Sequence, residues 1–238
     1  MKCSPSYIYL AILTAAAITP SMATRGVPSK PNFFIGYRLN CPDFITKVEM
    51  MHQYIIDTYP IMKPMLTSAK KLHITGFVMS LQEDYIQVVQ NALQDLQPEI
   101  SSCTPLPMVS FSKLGKFSNR VLYIEPHDDD GIDHIRNMNQ IILNKLRSID
   151  GLNMEDIGLH KYDVRRWKAH VTVAKVKFPQ PKTSPNKILV SEDDLNLMEE
   201  RLGCVRVPIH SIDLLSMGEV DETGYYKSYL RIHGSPLT

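Results

Sequence analysis

The sequence predicts an α+β protein of antiparallel sheets, with two histidine-bearing strands in different halves of the chain. Three observations carry that expectation. Segments that alternate with period two are interleaved with four segments whose apolar residues recur at helical spacing. A hairpin pattern sits near mid-chain. One short phrase, His followed by an apolar residue and Thr, occurs twice in strand-like runs, at His73-Ile74-Thr75 and His170-Val171-Thr172.

The chain opens with Lys2, an apolar run from Tyr7 to Ile18, and Pro20-Ser21-Met22-Ala23, the pattern of a secretory signal cleaved near Ala23. The run falls short of the ~20 apolar residues that span a membrane comfortably. The expected division is residues 1–23 as signal peptide, 24–31 as flexible lead-in and 32–238 as one two-lobed domain. This predicts a secreted or ER-lumenal protein, with no membrane contact once the signal is removed. Cleavage would remove Cys3 and leave Cys41, Cys103 and Cys204, enough for one disulfide and one remaining thiol.

Asn32 to Leu39 reads as a strand with Phe34, Gly36 and Arg38 on one face and Phe33, Ile35, Tyr37 and Leu39 on the other. After Cys41-Pro42, Phe44, Val48, Met51 and Ile55 mark a helix that stops at Pro60. A connector over 61–71 leads into the first His strand, which runs to Met79. Ser80 and Glu83 form a capping-box pattern for a helix from Leu81 to Leu96, stopped by Pro98. Met108 to Leu114 and Val121 to Ile124 form the hairpin, turned around Gly115 to Arg120.

Asp128-Asp129-Asp130 precedes a helix with Ile135, Met138, Ile142, Leu146 and Ile149 on its buried stripe. Acid at a helix N-terminus complements the helix dipole, which explains the tract better than a cation site. Residues 152–166 read as irregular, and Ala169 to Val176 as the second His strand. Ser191 opens a short helix through Leu195, Met198 and Leu202, ended by Gly203. Two final strands are expected, Val205 to Met217 and Tyr225 to Ile232.

The formal net charge of +1 argues against a surface for long nucleic acids, because such binding neutralises many phosphates at once. A small anionic substrate is compatible with it. Within each copy of the repeated phrase, His and Thr leave the same face of a strand. One imidazole can take a proton from a nucleophile while the other gives one to a leaving oxygen. Two threonine hydroxyls can donate to the non-bridging oxygens of a phosphate between them. The expected catalytic set is therefore His73, Thr75, His170 and Thr172, with no metal and no cofactor. No CxxC or Cys/His cluster suggests zinc.

The paired phrases resemble the signatures of the two-histidine phosphoesterases, most closely the phosphoesterase-like central domain of A-kinase anchor proteins and the viral and eukaryotic 2',5'-phosphodiesterases. The likeness runs from Asn32 to Ile232 and includes the hairpin Phe111 to Val121 and the C-terminal segments Ile212 to Met217 and Gly224-Tyr225-Tyr226. Ala169 and Trp167 depart from relatives that tend to carry Pro and Phe there. The resemblance implies two pseudo-symmetric lobes of antiparallel sheet backed by helices around a central cleft. It also implies action on 2'-linked phosphodiesters of small nucleotides, 2',5'-oligoadenylates or 2',3'-cyclic phosphates.

Phe117, Trp167 and Tyr225 are candidates for stacking on a base, with Tyr226 beside them, and Arg166 and Lys175 are candidates for holding a phosphate. Lys71, Arg165 and Lys168 are further basic residues near the histidines. The expected partner is a small nucleotide or short oligonucleotide, and the expected state is a monomer. The alternative reading is a non-catalytic nucleotide-binding module, an AMP sensor or kinase-anchor-like domain. Repair or maturation of 2',3'-cyclic RNA ends is a third.

Overall fold

The computed structural model of the chain describes residues 30–102, 107–177 and 185–233. The signal segment and Cys103 lie outside the described residues, and Cys41 and Cys204 are free thiols. Among the described residues no helix is long and apolar enough to cross a membrane.

The strands are β1 (Phe33–Arg38), β2 (His73–Met79), β3 (Met108–Phe117), β4 (Val121–Pro126), β5 (Val171–Lys175), β6 (Val205–Pro208), β7 (Ser211–Val220) and β8 (Tyr226–His233). The helices are α1 (Pro42–Thr58), α2 (Glu83–Asp95), α3 (Gln97–Ser102), α4 (Asp130–Arg147) and α5 (Glu192–Leu202). They build two four-stranded antiparallel sheets, ordered β2-β1-β7-β8 and β5-β4-β3-β6. Each sheet carries one His-x-Thr segment at its edge. The α+β architecture of two related antiparallel lobes is the one the sequence predicts.

Period-two alternation works as expected on β1: Ile35 and Tyr37 are fully buried in the main core. On the other face, Phe34 packs with Leu215, Tyr225 and Tyr226 in a small separate cluster. On α1 the stripe Phe44, Val48, Met51 and Ile55 is buried, and the Phe44 ring stacks on Phe111 of β3 at 4.9 Å. The acidic tract caps α4: the Asp129 carboxylate accepts from the backbone N–H groups of Gly131 and Ile132. That pairing satisfies donors which the helix itself cannot.

Several boundaries differ from the sequence expectation. Ser80 does not cap α2; its backbone N–H bonds to Ile157, and the helix begins at Glu83 after Gln82, without a side-chain cap. Pro98 ends nothing, because it sits in the first turn of α3, where a missing N–H costs no hydrogen bond. The hairpin turn is tighter than expected: β3 runs to Phe117, and Ser118 and Asn119 take φ of 48° and 52°, the left-handed backbone that a tight hairpin turn favours. The expected strand from Val205 to Met217 is two strands: β6 pairs with β3 and β7 with β1, so the chain changes sheets between Pro208 and Ser211.

Candidate active site

His73 is the first residue of β2, and His170 immediately precedes β5. Both rings are anchored the same way. His73 Nδ1 lies 2.7 Å from the carbonyl oxygen of Lys71, and His170 Nδ1 lies 3.0 Å from that of Lys168. A carbonyl can only accept, so Nδ1 carries the hydrogen in each ring. Nε2 is then the nitrogen with no bonding partner among the described residues, on the far side of the imidazole from its own backbone.

Each ring is also walled by aromatics. Phe34 lies 4.9 Å from His73, and Tyr226 meets it edge-on at 5.3 Å. Phe117 and Tyr123 meet His170 edge-on at 5.2 and 5.8 Å, and their own rings stack at 4.0 Å. Burial in this setting pushes the pKa of the half-buried His73 from 6.5 to about 4, and the charge of His170 adds to the shift against the opposing hydrogen bond to Lys71. That mutual influence places the two imidazoles within electrostatic reach of each other.

Thr75 and Thr172 occupy matching places. Thr75 stands opposite Gly36 of β1, and Thr172 stands opposite Tyr123 of β4. Directly after each Thr the ladder slips by one residue, at Gly76 in β2 and Val173 in β5. The slip turns Lys175 onto the face of Thr172, opposite Val121 and in line with Phe117. Lys175 is exposed, at the end of β5 farther from His170.

Carbonyls left free by these slips are met from the opposite half of the chain. Gly76 O accepts from the Tyr162 hydroxyl at 3.0 Å, and Thr75 O from the Trp167 indole at 2.8 Å. Val173 O accepts from the Thr67 N–H at 2.8 Å and lies 3.3 Å from His52 Nε2. Each His strand is thus held by residues preceding the other.

Thr75, Trp167 and His170 line a common cleft of about 370 Å³ together with Tyr162 and Lys168. Trp167 is half-buried there and also borders a second cleft of about 310 Å³, which Arg166 lines with His127 and Arg136. Neither His73 nor His170 lines that second cleft, and Arg166 lies 3.8 Å from the Asp163 carboxylate. Arg166 is therefore set apart from the pair. Phe117 is brought to His170 directly.

Tyr225 corrects the sequence expectation. Its ring is fully buried between Phe34, Leu215 and the Arg38 guanidinium, so no base can stack on it. Its neighbour Tyr226 packs against the same cluster, 5.6 Å from the Tyr225 ring, and is the ring beside His73. Sequence reasoning also missed Tyr123 and the pairing of Arg38 with His73; alternation placed Phe34 and Arg38 on one face but carried no sign of which strand lay alongside. Among the described residues no three His, Cys, Asp or Glu side chains gather as metal ligands.

A family model described as the AKAP7 2'5' RNA ligase-like domain matches residues 31–233. The chain belongs to that family. It is accordingly a member of the two-histidine phosphoesterase superfamily, with both His-x-Thr segments on equivalent sheet edges. The crystal structure of TT0787 of Thermus thermophilus has the same fold, with a TM-score of 0.51 at 15% identity over 85% of this chain and 97% of that one. E. coli LigT complexed with ATP gives a TM-score of 0.47 at 9% identity, covering 87% of this chain and 100% of LigT. The MHV ns2 PDE domain gives 0.48 at 15% identity, covering 79% and 100%. No match is found among curated proteins.

Proposed function

We propose that this two-histidine phosphoesterase is a metal-independent phosphodiesterase that cleaves 2'-linked phosphodiesters of small nucleotides, 2',5'-oligoadenylates or 2',3'-cyclic phosphates. The observation that carries the reading is the matched anchoring of the two rings, Nδ1 bound back to the chain and Nε2 left free on each. Such an arrangement leaves one Nε2 on either side of a bound phosphate, able to take a proton when unprotonated or to give one when protonated.

His73 is the base in this scheme. Its lowered pKa keeps it neutral at pH 7, ready to take a proton from water or a ribose hydroxyl. The acid role falls to His170, which enters the step carrying a proton on Nε2 as well as on Nδ1, gives the Nε2 proton to the departing oxygen and ends neutral, while His73 ends protonated. Thr75 and Thr172 donate to the non-bridging oxygens, where charge grows in the transition state. Phe117 and Trp167 bound the base-binding space and Lys175 adds positive charge on the Thr172 face, whereas Arg166 acts only on parts of a substrate that extend into the second cleft.

His73→Ala and His170→Ala should each lower kcat by about 10²–10⁴-fold on a 2',5'-adenylate dimer or a 2',3'-cyclic nucleotide, the usual weight of one general acid or base. Activity should survive EDTA. Full activity in either variant would refute the assignment, and a panel of 2',5'-, 3',5'- and 2',3'-linked substrates read by mass identifies the linkage. The A-kinase anchor likeness supports the rival of nucleotide binding without turnover, which the same panel and calorimetry distinguish. The leader reading puts this chemistry in the secretory pathway, which N-terminal sequencing of the exported protein tests.

A further inference from the structure

The pairing of β1 with β2 sets Arg38 directly opposite His73. Its guanidinium lies 4.2 Å from the centroid of the buried Tyr225 ring, which fixes the side chain flat against the sheet. Beside it, Lys71 Nζ lies 4.8 Å from the centroid of Tyr226, the ring that meets His73 edge-on. Two cations therefore stand on aromatic supports at the His73 end of the site.

Neither of them is held in a direct ion pair, although Arg38 acts on the Asp221 carboxylate at longer range. Among the described residues no carboxylate lies within ion-pair distance of Arg38 or Lys71. The two nearby acids are committed elsewhere. Asp213, fully buried opposite Gly36, is held by Arg231 Nε at 2.6 Å and by the hydroxyls of Ser211 and Ser228 at 2.6 and 3.1 Å. Asp221 Oδ1 accepts from Thr223 Oγ1, Thr223 N and Tyr225 N at 2.6, 2.9 and 3.1 Å. A half-buried guanidinium without a carboxylate in direct contact loses hydration that its donors do not recover, and a phosphate dianion is the partner its fork of donors fits best.

We propose that Arg38, supported by Lys71, is an anion subsite that takes a second phosphate of the ligand, a monophosphate on the nucleotide next to the one held between the histidines. Its part in turnover rests on the phosphodiesterase reading, whereas its affinity for a second phosphate does not. The subsite makes phosphorylated ends a specificity feature: a 2',5'-linked dimer with a 5'-terminal phosphate is preferred to one ending in a free hydroxyl.

Calorimetry with adenosine 2',5'-bisphosphate, adenosine 2'-monophosphate and adenosine 5'-monophosphate tests the binding. The wild type should hold the bisphosphate at least about tenfold more tightly than either monophosphate, the weight of one charge-assisted contact. Arg38→Met should bring the bisphosphate down to the monophosphate level, and Arg38→Lys should recover part of the difference. Lys71→Gln, away from the buried Tyr225 cluster, should reduce the preference without threatening the fold. A wild type with no preference, or a preference that survives in Arg38→Met, would overturn the subsite. Turnover of the dimer with and without its 5'-phosphate tests the consequence. A wild type that cleaves neither refutes the phosphodiesterase reading alone, and the bisphosphate comparison then decides the subsite.

Discussion

At the scale of single residues the two histidines share an anchor and differ in surroundings. The folded pKa of His73 is depressed to about 4, so the folded state takes up its proton less readily than the unfolded chain does. The stability this group contributes is complete above about pH 6.5 and is lost as pH falls through its folded pKa near 4. The loss is at most about 3 kcal/mol, because the ring keeps part of its contact with water. Denaturant midpoints measured between pH 7 and pH 4 should therefore fall more steeply for the wild type than for His73→Asn, which carries no titrating ring. Equal slopes would show that His73 is not held neutral by the fold.

The same scale shows where residue type misleads. Tyr225 and Tyr226 are chemically alike and adjacent in sequence, yet one is core beneath Arg38 and the other borders His73. Both rings pack in the cluster around Phe34, and the pairing of β8 with β7 seats Tyr225 beneath Arg38 while Tyr226 reaches His73.

Among the elements, two glycines make different demands on the strands and helices around them. A Cβ on Gly115 of β3 would lie 2.6 Å from the end of the Tyr123 ring, and one on Gly131 of α4 would lie 2.2 Å from the backbone oxygen of Met108. The Tyr123 ring can swing away, but in doing so it leaves its stack on Phe117 and its edge contact with His170. Gly115→Ala should therefore lower kcat/KM severalfold with a change in stability of only about 0.5 kcal/mol. Backbone cannot swing in the same way. Gly131→Ala should cost about 1–3 kcal/mol in thermal or denaturant unfolding, with activity per folded molecule preserved.

The elements were also the most legible level of the sequence. The burial stripes of α1, α4 and α5 fall on the residues that helical spacing selects, except that Ile149 lies past the end of α4 and is only half-buried. Boundaries were less legible, because they depend on partners outside the local window. Ser80 pairs with Ile157 rather than capping α2, and β6 and β7 look like one strand until their separate neighbours are known.

On the scale of the whole molecule, the site exists because two sheet edges are tied to each other. Trp167 precedes His170 in the chain yet donates its indole N–H to Thr75 O, and Thr67 precedes His73 yet donates to Val173 O. Trp167→Phe keeps a ring in the cleft and removes the donor. It should cost about 1 kcal/mol of stability and, on the proposed reading, a larger fraction of kcat than of binding, because the two histidine-bearing edges lose their common reference. A variant with wild-type kcat would show that the indole bond does not set the distance between the halves.

The repeated His-x-Thr phrase, its strand setting and the α+β order of elements were all determined by the sequence itself, since alternation and helical spacing are local properties of neighbouring residues. Tertiary structure alone decided that Arg38 stands opposite His73, that Tyr226 rather than Tyr225 faces the site, and that Arg166 lines a separate cleft. These depend on strand register and on which edge meets which, long-range pairings that carry no periodic mark in the chain.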